Sequence, residues 1–567
     1  MRRCVSGELK FIFEAADNPR YAFTLKKSRT RRQDQFGPVE SFFSHGVHEL
    51  TETVTSARLF NPVRDVFKDV TVSKLLVSSW RVFIYILKKQ GLAGALRVFP
   101  VIWLIIKAVK GFAEFHQAEY DRLALAKLQN IEPEESVLTD AQIQKYHDLG
   151  KWLCLHLTAL GPTFIKIGQT LSTRADLIPL PAMLELAKLQ EEVAAFPTEI
   201  AIATIESELS GRISNLYSSF DLKPIAAASL SQAYKATIKD GREVVVKVQR
   251  PNLPDLISRD VQVLARVTEE VMLYPSLCRH TNWPGVVQEF SRTIFEEIDY
   301  IREGRNADHF RATYRDFELV FIPRIIWRLT GRRVLTIEYV PGARVTDVEA
   351  LDAMGISRDE ITKTGANFYL KQLLEDGFFH ADPHPGNLRI MPDGRVGIFD
   401  FGMVGRISPD MKQGLANALL HVLQQEYRSL IDDFVDLGFL DESADRDQLA
   451  DDLTPILEKR FAQGLSRIRF REVLFDFSDV VWRYPFRLPT EFTYVMRALL
   501  TLEGVALTIN PKFNFVEATM PFAHRIVLKN SATMGKAIIK EVFTEGRFDR
   551  HAAIKLFKAA ARLPNIV

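Results

Sequence analysis

The stretch HADPHPGNLRIMPDGRVGIFDFG, residues 380–402, carries the spacing that decides the fold. Its first histidine is followed two residues later by Asp382, and Asn387 stands five residues after that aspartate. The catalytic loop of protein kinases, H-R-D-x-x-x-x-N, has the same spacing. A Pro-Asp-Gly turn then predicts a β-hairpin that ends in Asp-Phe-Gly, which is the second metal-binding element of a kinase.

These residues together suit phosphoryl transfer. Asp382 would accept the proton of an attacking hydroxyl group or water molecule. Asn387 would supply a neutral oxygen to Mg²⁺, and the carboxylate of Asp400 would bridge the phosphates through the same ion. The sequence therefore predicts ATP or ADP with Mg²⁺ as the cofactors.

The two histidines of this stretch allow another interpretation. His380 and His384 lie four residues apart with Asp382 between them, which could be proposed as a metal triad. Pro383 and Pro385 exclude the helix that would put both rings on one face. A metal-dependent hydrolase is therefore disfavoured, and no G-x-S-x-G sequence supports acyl transfer.

Two short runs upstream supply the other half of a nucleotide site. SQAYKATI (231–238) and EVVVKVQ (243–249) flank an Asp-Gly turn and predict a β-hairpin. Lys247 on the second strand would neutralise the α and β phosphates. A loop of small residues before the first strand would cover the phosphates with its backbone. The loop residues are Ala226, Ala227, Ala228 and Ser229.

The run VLTIEYVPG (334–342) predicts a buried strand that ends at a Pro-Gly turn. It fits the hinge of a kinase, and its backbone at Glu338 and Val340 would meet the adenine ring. The lysine strand, the hinge, the catalytic loop and the Asp-Phe-Gly element occur in the required order, and chance agreement of all four is improbable.

Five passages resemble the UbiB/ADCK family of atypical kinases, also called the activity-of-bc1-complex kinases. They are LGPTFIKIGQTLSTRADLIP (160–179), PIAAASLSQAY (224–234), FEEIDYIREGRNADHF (295–310), the stretch quoted first, and RLPTEFTYVMRALLTLEG (487–504). The resemblance implies an α+β, two-lobed protein-kinase-like fold. It also implies a family-specific N-terminal helical extension and C-terminal helices.

The resemblance also assigns further residues to the site. Lys166 and Gln169 belong to a Lys-x-Gly-Gln motif on a helix over the cleft, which would restrain transfer to proteins. Glu297 and Asp299 form a Glu-x-Asp motif that faces it. By the same matching, Glu303 is the helix glutamate that pairs with the strand lysine.

The three acidic residues raise a question of charge. Glu297 and Asp299 are two residues apart on one predicted helix, so they diverge by roughly 200° and serve different partners. Asp299 and Glu303 are four apart and would share a face. Three carboxylates near phosphates would repel them unless lysines intervene, and Lys247 and Lys166 are the candidates.

The chain departs from an ordinary protein kinase in two places. Ala226–Ala228 replace the usual glycines, and their methyl groups keep the loop backbone farther from phosphates. We expect an altered nucleotide preference and weakened protein phosphorylation. No A-P-E follows the Asp-Phe-Gly element, and helices are predicted from near Pro409, so a standard platform for protein substrates is absent.

The resemblance implies an enzyme, an Mg-ATP-dependent ATPase or phosphotransferase that supports isoprenoid-quinone or other prenyl-lipid metabolism at a membrane. An ATP-binding scaffold that organises lipid-biosynthetic enzymes and a true protein kinase stay open as alternatives. The expected partners are a nucleotide, a membrane surface and a prenyl lipid, with lipid-biosynthetic enzymes as further candidates. No nucleic acid is expected, and the oligomeric state is open.

The composition is that of a globular protein. Among 567 residues 47% are hydrophobic and 25% charged, which excludes a largely disordered chain. The formal charge of +2 gives no reason to expect a polyanionic partner. Cys4, Cys154 and Cys278 are widely spaced, which excludes a disulfide scaffold and fits a reducing compartment.

The ends of the chain are basic. Residues 1–35 carry nine Lys/Arg against four Asp/Glu, and residues 525–567 carry nine against three. Within the second segment, 534–563 has the apolar spacing of an amphipathic helix and is a candidate for contact with a membrane surface. The predicted organisation is a poorly ordered arm (1–70), a helical extension (71–200), an N-lobe (201–342), a C-lobe (343–510) and a basic helical tail (511–567).

Two apolar stretches, 75–87 and 92–110, are interrupted by Arg and Lys and fall short of the about 20 residues of a spanning helix. An aromatic, apolar face flanked by basic residues is typical of a helix in a membrane interface. Packing on the protein's own core is the alternative. Without a secretory signal, we expect a peripheral protein on the cytoplasmic side of a membrane, with thylakoid and inner membranes as candidates.

Overall fold

The structure is a computed structural model, and it describes most of the chain between residues 72 and 514. The described residues are 72–108, 111, 140–172, 178, 180–190, 195–274, 283–424, 426–440, 444–462, 489–514, 518, 543–544 and 547–548. The chain divides at Glu52, and all described residues belong to the unit that begins at Thr53. The predicted arm over 1–70 lies outside the described residues.

Helices precede, interrupt and follow the two larger of the four sheets that the described strands form. The helices are α1 (Val72–Leu96), α2 (98–108), α3 (Asp140–Leu160), α4 (Pro162–Leu171), α5 (Leu180–Ala187), α6 (Thr198–Leu209), α7 (Ile213–Leu216), α8 (Leu253–Val271), α9 (Trp283–Glu297), α10 (Tyr300–Thr313), α11 (Val348–Ala353), α12 (Arg358–Lys371), α13 (Pro409–Gln424), α14 (Tyr427–Asp436), α15 (Arg446–Ala462) and α16 (Thr490–Ile509).

The strands are short except for one hairpin in the first lobe. They are β1 (Tyr217–Phe220), β2 (Ala226–Ala227), β3 (Ser231–Ile238), β4 (Glu243–Gln249), β5 (Val320–Phe321), β6 (Val334–Glu338), β7 (Ala343–Arg344), β8 (Phe378–His380), β9 (Leu388–Ile390), β10 (Val396–Ile398), β11 (Val404–Arg406), β12 (Phe543–Thr544) and β13 (Arg547–Phe548).

The first sheet forms the N-terminal lobe, in the order β1-β3-β4-β6 with β2 paired to β3. The hairpin predicted over 231–249 is confirmed, since β3 and β4 pair antiparallel along their length. Val246 and Val248 are fully buried and pack in the core beneath α6, with which the sheet shares a hydrophobic cluster. Because side chains alternate along a strand, Lys247 lies on the other face, toward the cleft.

The second sheet, in the order β5-β10-β9-β7, begins the C-terminal lobe. The predicted hairpin over 388–398 is confirmed, and Gly394 in its turn has φ of +85°. Gly342, after the hinge strand, has φ of +126°, and a Cβ there would lie 2.0 Å from the Ile390 carbonyl oxygen. Only glycine allows the hinge to approach β9 this closely. The two-lobed α+β architecture is thus the one predicted.

The apolar stretch 92–110 proves to be interior where it is described. Val98, Val101 and Trp103 in α2 are at most 9% exposed, so this helix packs on the protein's own core, the second of the two alternatives. By contrast, α1 leaves Leu76 and Trp80 more than 40% exposed. The membrane-interface hypothesis therefore rests on α1 and no longer on α2.

A buried ion pair fastens this extension to the kinase-like unit. Arg97, between α1 and α2, lies 2.9 Å from the carboxylate of Asp260 on α8, and Asp260 is 1% exposed. The same guanidinium donates a hydrogen bond of 2.8 Å to the carbonyl of Leu160, just before α4. One side chain thus joins the segment between α1 and α2, the end of α3 and α8.

One described helix, Glu491–Ile509, is long and apolar enough to cross a membrane by length and composition. It is the core helix α16, because Val495, Ala498 and Ile509 on it are at most 2% exposed. Packing against the C-terminal lobe accounts for its hydropathy.

The tail differs from the helix predicted over 534–563 at the residues that are described. Phe543–Thr544 pairs antiparallel with Arg547–Phe548, so a continuous helix is wrong there. The β-branched Thr544 and the nearby Gly546 both have low helix propensity, which the amphipathic spacing concealed. The rest of that segment lies outside the described residues.

We expect Arg97→Met to lower the free energy of unfolding by about 3 kcal/mol, because it leaves the buried Asp260 without its partner. Adding Asp260→Leu should recover most of the loss, since an apolar pair carries no buried charge. Urea denaturation of the single and double variants at pH 7 measures both effects. Arg81→Met is the control, because Arg81 is 57% exposed and 3.8 Å from Glu270. A double variant no more stable than Arg97→Met would contradict the interpretation.

Candidate functional site

Three predicted residues from distant parts of the chain meet in the cleft between the lobes. The Lys247 ammonium lies 2.6 Å from the Glu303 carboxylate and 2.8 Å from the Asp400 carboxylate. It also stands 5.7 Å from the centre of the Tyr300 ring. Strand β4, helix α10 and the Asp-Phe-Gly element are therefore joined by one cation.

Local chemistry places each member of this triad. Asp299 caps α10, accepting hydrogen bonds from the backbone N–H groups of Ile301 and Arg302 at 3.0 and 3.1 Å. Such a cap fixes where the helix begins, and so where Glu303 lies in its first turns. On the other side, the Asn306 amide donates to the Phe401 carbonyl at 3.0 Å. Helix α10 thus holds the Asp-Phe-Gly element beside the lysine.

Burial and mutual charge separate the pKa values of the triad. Burial opposes the charged lysine, but Asp400 and Glu303 raise the pKa of Lys247 well above its usual value. Burial raises the pKa of Glu303 to about 7 against the pull of Lys247. Burial acts in the same direction on Asp400, but Lys247 and the Gly402 N–H overcome it and lower the pKa of Asp400 to about 2. Asp400 is therefore the permanent anion of the site.

The catalytic loop is ordered by its own hydrogen bonds. The backbone N–H of Asp382 donates to Nδ1 of His380 at 3.1 Å, and the Asn387 amide donates to the Asp382 carbonyl at 3.3 Å. Burial lowers the pKa of His380, so its ring is neutral at pH 7 and can accept that bond. The N–H of Phe399 donates to the Asn387 carbonyl at 3.3 Å, which sets Asn387 beside Asp400 along the hairpin.

An arginine that the sequence reasoning did not single out completes the loop. Arg497 on α16 lies 2.9 Å from one carboxylate oxygen of Asp382 and is 6% exposed. Tyr494, one turn earlier, hydrogen-bonds Thr293 of α9 through its hydroxyl at 2.7 Å. The passage around Arg497 was recognised as a family motif, but its spacing alone does not show which residue reaches the loop.

The Lys-x-Gly-Gln helix, α4, covers one side of the cleft. Lys166 forms an ion pair with Glu297, and both side chains are less than a fifth exposed. Gln169 donates to the Leu189 carbonyl at 2.8 Å. A Cβ on Gly168 would lie 2.3 Å from a Leu189 methyl carbon, so the glycine allows close packing.

The prediction that Glu297 and Asp299 share one helix is wrong. Glu297 is the last residue of α9, and Asp299 caps α10. Aspartate is a favoured N-cap residue, and it starts a new helix where the spacing suggested one continuous helix. Glu297 faces Lys166 as expected, and the Asp299 carboxylate accepts hydrogen bonds from backbone N–H groups, so the two acidic side chains have different partners as predicted.

The predicted nucleotide loop and hinge occupy the ends of the first sheet. Ala226 and Ala227 form β2 and pair with Ala233 and Gln232 of β3. At the hinge, the N–H of Glu338 and that of Tyr339 are used in backbone hydrogen bonds. The backbone N–H and C=O of Val340 make no backbone hydrogen bond to the described residues, so both groups are available to a ligand.

The donors present fit Mg²⁺ held partly by a substrate. Asp400 and Asn387 offer hard oxygen atoms, the kind this ion prefers. In the described part of the chain no group of three or more His, Cys, Asp or Glu side chains could hold a metal. Mg²⁺ would therefore take its remaining ligands from phosphate oxygens and water, as in kinases.

Comparison with known proteins gives matches over most of the chain between residues 188 and 514. The family models of the ABC1 atypical kinase-like domain and the UbiB helical domain match residues 188–434 and 453–514. An uncharacterized protein of Synechocystis is 42% identical over 385 residues, 68% of this chain and 66% of that protein. The chloroplastic protein Activity of BC1 Complex Kinase 7 of Arabidopsis thaliana is 36% identical, over 76% of this chain and 62% of that protein.

The chain thus spans about two thirds of the length of these relatives. A solved structure of the Rv3197 protein of Mycobacterium tuberculosis with erythromycin has a TM-score of 0.43 and 23% identity, over 68% of this chain and 94% of that chain.

We expect ADP, added without metal, to bind more tightly at pH 6 than at pH 8. With the pKa of Glu303 raised to about 7, its carboxyl is largely neutral at pH 6 and anionic at pH 8, where it repels phosphate. The change in dissociation constant should be on the order of tenfold. Glu303→Gln, which is neutral at both pH values, is the control for the titration of ADP itself. Titrations that show the same pH dependence in both proteins would contradict this.

Proposed function

Because the chain belongs to the family of ABC1 atypical kinase-like proteins, we propose that it binds ATP or ADP with Mg²⁺ and catalyses ATP hydrolysis or phosphoryl transfer to a small acceptor. The observation that carries the proposal is the Lys247 ammonium joined to both Glu303 and Asp400. This arrangement is the one that positions phosphates in active kinases.

The nucleotide would lie between the two sheets. The adenine would meet the backbone at Glu338 and Val340, and the phosphates would lie under the loop from Ala226 to Ser229. Lys247 has three N–H donors, of which two bind carboxylates, so the third is available to a phosphate oxygen. Mg²⁺, held by Asp400 and Asn387, would neutralise the charge that develops on the phosphoryl group.

Asp382 would take the proton of the attacking water or hydroxyl group. Its oxygen Oδ2 is held by Arg497, while Oδ1 is buried and has no hydrogen-bond partner among the described residues. A buried acceptor without a partner is costly, and an attacking O–H would satisfy it. Arg497 would thus orient the carboxylate so that the other oxygen receives the proton.

The acceptor is proposed to be small. Lys166 and Glu297 line the same small cavity as Arg497 and Met403, directly beside the catalytic loop. The Lys166–Glu297 ion pair lines this cavity beside Asp382, so a peptide segment could enter there only if α4 moved. This favours water or a small-molecule hydroxyl over a protein side chain, and it argues against the true protein kinase.

A role in isoprenoid-quinone or prenyl-lipid metabolism at a membrane is the finer part of the proposal. The exposed Leu76, Val77 and Trp80 of α1, with Lys74 and Arg81 alongside, support membrane contact. The Arabidopsis relative is a chloroplastic protein by name, which fits a thylakoid location for this chain. Lipid-biosynthetic enzymes remain proposed partners.

We expect Asp400→Asn to lower Mg-dependent ATPase activity by at least about 100-fold, since it removes the anionic metal ligand. Phosphate release from ATP with lipid vesicles present is the measurement. Asp393→Asn is the matched control, because Asp393 is an exposed turn residue of the same hairpin. Equal turnover in wild type and Asp400→Asn would contradict the proposal that the protein is an enzyme and would favour the ATP-binding scaffold.

We expect Trp80→Glu combined with Leu76→Glu to abolish co-flotation with vesicles that contain anionic lipid. Two charges on the apolar face of α1 oppose its insertion into the interface. Leu222→Glu is the control, because Leu222 is 67% exposed but lies in the N-terminal lobe. Unchanged flotation of the double variant would remove α1 from the membrane proposal.

A further inference from the structure

The small-residue loop is tied down at its tip by an arginine. The carbonyl of Ala228 accepts two hydrogen bonds from the guanidinium of Arg250, at 2.9 and 3.1 Å. The backbone N–H of Arg250 donates to the Leu230 carbonyl at 2.9 Å. Arg250 follows Lys247 by three residues and comes directly after β4, so the residue at the end of the lysine strand also holds the loop.

Arg250 is itself held in place. Its guanidinium stands 5.5 Å from the centre of the Phe196 ring. Gln232, 1% exposed on β3, grips the Phe196 backbone by accepting from its N–H and donating to its carbonyl at 3.1 Å. A guanidinium is attracted to the face of an aromatic ring. The Phe196 ring and the Ala228 carbonyl therefore favour the same position of the Arg250 side chain.

A second contact that holds the loop comes directly after Ser229, at Leu230. The side chain of Leu230 is 7% exposed and belongs to the apolar cluster of Leu253, Ile257 and Ile294 from α8 and α9. The loop is thus fixed on both sides of Ser229, in contrast to a glycine-rich loop that relies on free backbone rotation.

Fixing the Ala228 carbonyl also decides the direction of the next N–H. In a planar trans peptide the C=O and N–H groups point in opposite directions. With the Ala228 carbonyl bound to Arg250, the N–H of Ser229 must point away from the guanidinium. Ser229 is 5% exposed, and its N–H makes no hydrogen bond to any described residue. A buried N–H of this kind calls for an acceptor.

We propose that Arg250 is a positioning residue for the nucleotide, which orients the Ala228–Ser229 peptide so that the Ser229 N–H donates to a phosphate oxygen. Register relates the loop to the lysine, since Ala226 at the start of the loop and Lys247 on β4 pair with the same residue, Ala233, from opposite sides of β3. The Ser229 N–H and the Lys247 ammonium would then bind the same phosphate chain. This inference rests on the proposed function and adds the device that replaces the glycines.

The test compares adenosine with ADP, because only ADP carries phosphates. Arg250→Ala should weaken ADP binding in the presence of Mg²⁺ by about tenfold or more, as expected for a lost hydrogen bond to a charged group. Adenosine binding should stay unchanged. Arg250→Lys, which keeps the charge but cannot fork onto one carbonyl, should be intermediate. Arg242→Ala, at the other end of the same hairpin, is the control for lost charge.

Amide hydrogen exchange of the ligand-free protein measures the clamp independently. Residues 226–231 should exchange about tenfold faster in Arg250→Ala than in wild type or Arg242→Ala. If wild type binds ADP and Arg250→Ala binds it equally well, the inference alone is overturned. The same holds if Arg250→Ala loses adenosine binding and ADP binding to the same extent. Wild type that binds neither ligand would overturn the proposed function and the inference with it.

Discussion

The ion pairs of Lys247 with Glu303 and Asp400 are the constraint on which the rest of the site depends. Removing one partner from a buried group of charges lowers stability, so the strand β4, the helix α10 and the Asp-Phe-Gly element must all be in place for the folded site to be stable. The cap by Asp299 fixes the start of α10, and the hydrogen bond from Asn306 to Phe401 fixes the Asp-Phe-Gly element against that helix. The shifted pKa values follow from the same proximity, with a permanent anion on Asp400 and a titratable carboxyl on Glu303.

The two matched domains meet at the proposed active site. Asp382 lies within the ABC1 atypical kinase-like domain, and Arg497, which binds its carboxylate, lies within the UbiB helical domain. The apolar character of α16 therefore has a structural cause, since the helix must be buried to carry an arginine to the catalytic loop. This contact also links the C-terminal helices to the chemistry of the proposed reaction.

The cleft is restrained by the extension as well as by the lobes. Lys166 binds Glu297 on one side, and Arg97 ties the chain before α4 to the buried Asp260 on the other. The Ala-rich loop is held by Arg250 and Leu230, where a glycine-rich loop would be free to move. A cleft with fixed walls suits a small acceptor and a nucleotide bound without large loop closure, which is consistent with the proposed function.

Elements whose signals are local could be predicted from the sequence. The β3–β4 hairpin, the hairpin over 388–398 and the order of lysine, hinge and catalytic loop were predicted because turn residues and short spacings specify them. The three-dimensional structure was needed to show that Arg497 reaches Asp382, that Asp299 caps a new helix, and that 98–106 is interior while α1 leaves Leu76 and Trp80 exposed. These outcomes depend on which distant surfaces meet, and an apolar or charged side chain has the same local pattern whether its partner is solvent, membrane or protein.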